Sequence, residues 1–165
     1  MLRRIARGFR REERGAILVE MTLITPLMIA LSAGVFEFGT IFHRKLLIEA
    51  GLRDAARFMA RCTDGFSAVA TDCTTAAQNI AKYGIPTAGT LRVTDWTAAV
   101  AITTYTTTNN VDSVTGLQDY RGTGANVTTV RVTTSYTYGA TSLLAYIGLG
   151  PITFTASQEE RFIGY

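Results

Sequence analysis

The longest feature of the hydropathy pattern is an apolar run near the N-terminus. It covers residues 16–42, and no charged side chain occurs between Met21 and Phe36. As an α-helix, these 27 residues would extend over about 40 Å. The hydrocarbon core of a bilayer is about 30 Å thick, and a helix satisfies its own backbone hydrogen bonds there. The pattern therefore predicts one transmembrane helix.

Helical periodicity continues beyond this run. Apolar residues recur at intervals of three, four or seven residues and share one helix face: Ile41, Ile48, Leu52, Ala55 and Met59. A second row repeats every four residues and allows Lys45 to pair with Glu49, and Glu49 with Arg53. We expect the helix to reach Arg61 and its apolar face to pack onto an exterior domain or a sister helix.

The second half of the chain is rich in threonine, valine and tyrosine. A short helix is predicted at Thr74–Tyr83, with Gly84 at its C-terminal end. Strands are predicted at Leu91–Trp96, Ala99–Thr106, Val127–Tyr138 and Ile152–Phe162. In the last two, apolar residues alternate with threonines, which indicates a half-buried antiparallel sheet with a polar outer face. The polar segment 109–124 is predicted as a surface loop and is a candidate contact loop. The apolar segment Leu143–Leu149 is predicted as a short buried helix or a turn.

The predicted fold class is therefore α+β. A long N-terminal helix, first transmembrane and then extramembrane, precedes a small antiparallel β-sheet domain. The domain organisation that we expect is a basic leader (1–15), a transmembrane helix (16–42), its extramembrane continuation (43–61) and an α+β domain (62–165).

Composition and charge restrict the function further. The chain is 47% hydrophobic and only 18% charged, whereas a soluble domain carries about 25% charged residues. Six arginines in residues 1–15 account for its basic character, and the rest of the chain has slightly more acidic than basic groups. The composition thus excludes a disordered chain and a nucleic-acid-binding protein of the usual kind.

The same charges predict an orientation. The N-terminal flank of the helix is more basic than the Arg44–Lys45 flank, so residues 1–15 should remain in the cytoplasm and the C-terminal domain should lie outside. A removable signal peptide is the competing interpretation. It would have an apolar core of about 7–15 residues before its cleavage site, which is shorter than this run.

Pro26 interrupts the predicted transmembrane helix. It lacks an amide hydrogen, so a mild kink is expected near Thr22–Pro26. The hydroxyls of Thr22 and Thr25 can bond nearby carbonyl oxygens and reduce the cost.

Catalytic and cofactor chemistry is not indicated. His43 is the only histidine, so no Ser/His/Asp or Cys/His set is available, and we read this residue as solvated. No phosphate-binding or dinucleotide-binding glycine motif occurs. We therefore expect no enzyme activity, no cofactor and no metal site.

Cys62 and Cys73 are the only cysteines and lie eleven residues apart. If the domain lies outside the membrane as predicted, its compartment is oxidising, which favours a disulfide. Such a bond would tie the end of the long helix to the next element and contribute about 2–3 kcal/mol.

Glu20 is the anomalous residue of the apolar run. A carboxylate at the entrance of a transmembrane helix is costly unless it is paired or hydrated. It either extends to the interface or meets a cation. If the chain were cut after Gly15, Ala16 would carry a free amine within reach of Glu20 on the same or a neighbouring helix.

These residues carry a resemblance to a known family. A basic leader that ends in Gly15, four apolar residues and Glu20 look like a prepilin peptidase site. The wider pattern adds Pro26-Leu27, the Gly34, Glu37 and Gly39 motif, and an Ala/Arg-rich helix containing Arg53 and Arg57. Over about residues 10–60 the chain closely resembles the TadE-like family, minor pilins (pseudopilins) of tight-adherence (Tad) pili.

The resemblance implies a function in pilus assembly and surface attachment. Residues Gly15 and Ala16 would form the processing site, and Glu20 would set the register between subunits. We place Glu37 at the outer interface, solvated. The implied partners are the lipid bilayer, other pilins, a prepilin peptidase and the pilus assembly platform, with no nucleic acid. The chain would reside in the bacterial inner membrane, with its domain periplasmic, or extracellular in a pilus.

A different class of protein fits the same pattern. An uncleaved single-pass anchor could carry a β-rich domain that binds an extracytoplasmic partner. In that case the leader would remain attached and Glu20 would extend to the membrane interface.

Overall fold

The computed structural model confirms the α+β class. It describes residues 13–62, 72–121, 124–139, 148 and 150–163. The elements are helices α1 (Glu13–Met59) and α2 (Cys73–Tyr83) and strands β1 (Val100–Thr108), β2 (Asn126–Tyr138) and β3 (Ile152–Arg161). The strands form one antiparallel sheet in the order β1-β2-β3.

Helix α1 is continuous through Pro26. The hydroxyl of Thr22 donates to the carbonyl of Leu18 (2.7 Å), and that of Thr25 donates to Met21 (2.6 Å). These bonds were predicted, but neither serves the carbonyl of Thr22, which is the group that Pro26 leaves without an amide donor. The kink itself stays a prediction.

The C-terminal half of α1 supplies one wall of the core. Ile48, Leu52 and Ala55 are buried, as the helical periodicity predicted, and Ala56, which the predicted face did not include, is buried with them. These residues pack with α2 and the sheet. Gly51 permits the close approach of α2, because a Cβ there would overlap the carbonyl oxygen of Ala81.

Helix α2 ends as predicted. Gly84 adopts a left-handed conformation (φ 81°), and its amide donates to the carbonyl of Ile80 at 2.9 Å. A glycine accepts this conformation without the steric cost of a Cβ.

The sheet packs its apolar face against α1. Val130, Val132, Tyr136 and Tyr138 of β2 are buried, whereas Arg131 of the same strand is exposed. In β3, Ala156 is buried and the flanking threonine and serine are exposed. The predicted alternation along both strands is therefore confirmed.

The prediction of a strand at Leu91–Trp96 was wrong. The segment forms turns, in which the Trp96 amide donates to the Val93 carbonyl at 3.0 Å. The buried residues Val93 and Trp96 are three positions apart, whereas the residues on one face of a strand are separated by two. The indole of Trp96 donates to the Thr134 hydroxyl (3.1 Å) and thereby attaches this turn to β2.

Two predictions fall largely on residues that are not described. They are the basic leader, of which residues 1–12 lie outside the described part, and the segment Leu143–Leu149, of which only residue 148 lies within it.

Candidate functional site

The N-terminal half of α1 is largely exposed in the described part of the structure. The 18-residue window with the highest hydropathy has none of its residues buried, and the helix is long and apolar enough to cross a membrane. Leu23, Val35 and Phe36 are each more than 70% exposed. A helix surface of this kind is stable in lipid or against other helices, and it fits a membrane anchor.

The predicted processing residues lie at the start of this surface. Gly15 is helical, and a Cβ placed there would meet nothing within 4 Å, so the fold itself does not require glycine. Ala16 and Glu20 are both exposed and lie about one helical turn apart. Ala16 and Glu20 therefore both lie on the part of the helix that the described part of the domain leaves exposed.

Glu37 is buried, which overturns the prediction that it is solvated. Only 8% of its surface is exposed, and its carboxylate accepts a hydrogen bond from the Tyr138 hydroxyl. Burial and the neighbouring carboxylate of Glu37 raise the pKa of Tyr138. The helix pattern could not reveal this contact, because the C-terminal end of β2 covers Glu37 only in the folded chain.

Arg44 adds further polar contacts between α1 and the rest of the domain, close to Glu37. Its guanidinium donates to the Asp95 carboxylate and to the Tyr136 hydroxyl, both at 2.8 Å. It also lies 5.1 Å from the centroid of the Tyr138 ring, which is within the range of a cation–π interaction. Glu37 and Arg44 thus attach the sheet to α1 at the level where the domain begins to cover one face of the helix.

A disulfide lies beyond the C-terminal end of α1, at the far end of this helix from the membrane segment. Cys62 and Cys73 are bonded, with Cα atoms 6.1 Å apart, which confirms the predicted pairing. The bond links the C-terminal end of α1 to the first residue of α2.

The outer face of the sheet carries a cross-strand cluster that sequence reasoning missed. The Tyr105 hydroxyl and the Arg131 guanidinium both donate to the Glu159 carboxylate at 2.5 Å. These bonds, that from Tyr105 foremost, lower the pKa of Glu159. Detecting the cluster requires the strand register, in which Arg131 is paired with Thr103 and Glu159.

Internal hydrogen bonds connect the described residues of the candidate contact loop. Asn109 is buried and bonds to the backbone of Tyr120 and Gly124. The Asp112 carboxylate accepts the amides of Val114 and Thr115, which lowers its pKa. The loop exposes 91% of Val114. Its contact function stays a prediction.

Within the part of the chain that the structure describes, no three histidine, cysteine, aspartate or glutamate residues are grouped as metal ligands would be.

Comparison with known proteins gives one match. The family model described as TadE-like protein matches residues 15–57, about a quarter of the chain. This confirms the resemblance for the segment that contains Gly15, Glu20, Glu37 and most of α1. No curated protein and no solved structure gives a significant match to the chain. Over these residues the chain is therefore similar to a family associated with pili.

Proposed function

We propose that this chain, with its TadE-like N-terminal segment, is a minor pilin that a prepilin peptidase cleaves between Gly15 and Ala16. It is then incorporated into a Tad-type pilus or supports its assembly. The observation that carries the proposal is the family match, which begins at Gly15 and covers the exposed apolar helix. The protein acts by packing against lipid and other pilins, not by catalysis.

The burial of Glu37 supports a shorter transmembrane segment than the pattern predicted. The domain covers one face of α1 from Glu37 onward, so we assign residues 16–36, which precede that cover, to the membrane. A helix of that length extends over about 30 Å and matches the hydrocarbon core. We therefore place the outer membrane boundary near Glu37 instead of Phe42.

The proposed orientation has the leader in the cytoplasm and the domain in the periplasm. The arginines of residues 1–15 support it through the positive-inside rule. The Cys62–Cys73 disulfide supports it independently, because disulfides persist in oxidising compartments.

Cleavage gives Glu20 a partner. The new amine of Ala16 is cationic, and the Glu20 carboxylate of a neighbouring subunit can neutralise it within the bilayer. Each charge would otherwise be costly in lipid. The pair therefore favours association between subunits and fixes their relative axial position.

Exchange of Glu20 tests this proposal. In Glu20→Gln, the neighbour's amine loses its counter-charge at a cost of about 2.5 kcal/mol, so incorporation into sheared pili should fall at least about tenfold. Glu20→Asp, which keeps the charge, is the matched control and should retain most incorporation. Equal incorporation of Glu20→Gln and the unaltered chain would contradict the proposed charge pairing.

A further inference from the structure

Seven large apolar side chains form a continuous stripe along α1. They repeat at intervals of three or four residues, and their exposed fractions range from 42% for Ile24 to 73% for Val35. We call this row the α1 stripe; its members are Ile24, Leu27, Leu31, Val35, Phe38, Phe42 and Leu46. Glu20 precedes it by four residues and therefore lies on the same helix face.

The domain of the same chain does not cover the upper part of the stripe. It packs on a different face of α1, where Glu37, Ile41 and Ile48 are buried. Phe42 and Leu46 lie at the same level of the helix but remain 62% and 64% exposed. The stripe thus continues beside the domain for about 14 Å beyond Glu37.

Lipid is a poor cover for this upper part. Arg44 and Lys45 lie between Phe42 and Leu46, and the Asp95 carboxylate that pairs with Arg44 is 63% exposed. A bilayer that reached Leu46 would remove these charges from water at a large cost. A protein surface can cover the apolar row and leave the charges at its edge hydrated.

We propose that the α1 stripe binds α1 of a second copy of this chain, parallel and displaced along the axis by four residues. The proposal rests on the proposed function, because both copies must be anchored in one membrane with the same orientation. It adds the contact face, its continuation outside the membrane and the axial displacement between the subunits.

The charges at both ends of the stripe require the displacement. Two parallel helices without displacement would place Glu20 beside Glu20 and Glu49 beside Glu49. A displacement of four residues, about 6 Å, places Lys45 beside Glu49. The same displacement places Glu49 of the first copy beside Arg53 of the second. Opposite charges then replace like charges at Lys45 and Glu49, whereas Arg53 comes to lie beside Arg57. Lys45 also lies 3.7 Å from Glu49 of its own chain.

The same displacement agrees with the other contacts. It places the Ala16 amine of one copy beside Glu20 of the other. It also places Phe38 beside Phe42, and Phe42 beside Leu46, because these residues are four apart. Aromatic and apolar side chains then interdigitate across the seam.

The spacing of the stripe suits a long pairing. Ile24, Val35 and Leu46 are each eleven residues apart. An eleven-residue repeat has 3.67 residues per turn, close to the 3.6 of a straight helix, and imposes only slight right-handed supercoiling. Two long helices can therefore keep this face in contact from Ile24 to Leu46 without strong bending.

Disulfide cross-linking between two differently tagged full-length copies in membranes tests the displacement. One copy carries Phe38→Cys and the other Phe42→Cys; a second pair carries Phe42→Cys and Leu46→Cys. Both pairs should cross-link several-fold more than Phe42→Cys with itself, because a disulfide requires Cα atoms within about 7 Å. Ile85→Cys, an exposed apolar position on the domain, is the background control.

Charge exchange provides the second measurement. Lys45→Glu in the copy that carries Phe38→Cys should reduce its cross-link to the other copy several-fold. Glu49→Lys in the other copy should restore it, which a merely structural effect of either substitution would not do. Absence of restoration would overturn the charge register.

The outcomes separate this inference from the proposed function. If the mature chain begins at Ala16 and enters pili but self-pairs cross-link as well as displaced pairs, the displacement is overturned and the pilin assignment stands. Cross-links to a different protein alone would overturn the second copy as the partner. A chain that keeps its leader would instead contradict the proposed function.

Discussion

Single residues of α1 have environments that the helix pattern alone does not determine. Glu20 and Glu37 both belong to the TadE-like segment, yet Glu20 is exposed and Glu37 is buried. The apolar face that contains Ile48 and Leu52 was predictable, because apolar residues on one buried helix face recur every three or four positions in the sequence. The contact of Glu37 with Tyr138 joins residues that are distant in the chain, and no local pattern indicates it.

Removal of the Glu37 carboxylate should destabilise the domain. Glu37→Ala leaves the buried Tyr138 hydroxyl without this acceptor and should lower the free energy of unfolding by about 1–3 kcal/mol. The control is Glu49→Ala, which removes a surface ion pair with Lys45 and should change the value by less than about 1 kcal/mol. Urea unfolding in detergent, followed by fluorescence of the buried Trp96, measures both. Equal effects would show that Glu37 contributes no more than a surface charge.

Two glycines of α1 provide a matched comparison. Gly51→Ala should cost about 1–3 kcal/mol, because the new Cβ overlaps the Ala81 carbonyl and forces α2 away. Gly39→Ala meets nothing within 4 Å and should be neutral or stabilising by up to about 1 kcal/mol. The same unfolding measurement distinguishes them. A Gly51→Ala chain as stable as the unaltered one would contradict the close packing of α1 on α2.

Whole elements were more predictable than the contacts between them. Strands β2 and β3 were predicted to within one residue of their observed bounds, because alternating burial imposes a two-residue period on their sequences. The Leu91–Trp96 segment was misassigned because its β-branched and aromatic residues have strand propensity, whereas its contacts with Thr134 and Arg44 favour a turn. Strand register, and with it the Tyr105–Arg131–Glu159 cluster, depends on pairing that the sequence does not specify.

The connection between α1 and α2 should depend on its disulfide. Joint Cys62→Ser and Cys73→Ser substitution should lower the free energy of unfolding by about 2–3 kcal/mol, because the unfolded chain gains freedom. A reductant should destabilise the unaltered chain by a similar amount and leave the double variant unchanged. If the reductant destabilised both chains equally, its effect would not arise from the Cys62–Cys73 bond.

At the scale of the whole molecule, the two halves of α1 lie in different surroundings. Its 47 residues extend over about 70 Å, with the N-terminal half exposed and the C-terminal half built into the domain core. The polar contacts of Glu37 and Arg44 lie at the transition. The anchor was predictable from hydropathy, but the level at which the domain begins to cover the helix required the tertiary structure.

The central claim is that proteolysis after Gly15 creates the cation that Glu20 neutralises. Intact-mass spectrometry of the membrane-purified chain tests it most directly. The account predicts a chain that begins at Ala16 in cells that contain the prepilin peptidase, and at Met1 in cells that lack it. A chain that begins at Met1 in both strains, or at any residue other than Ala16 in the first, would contradict it.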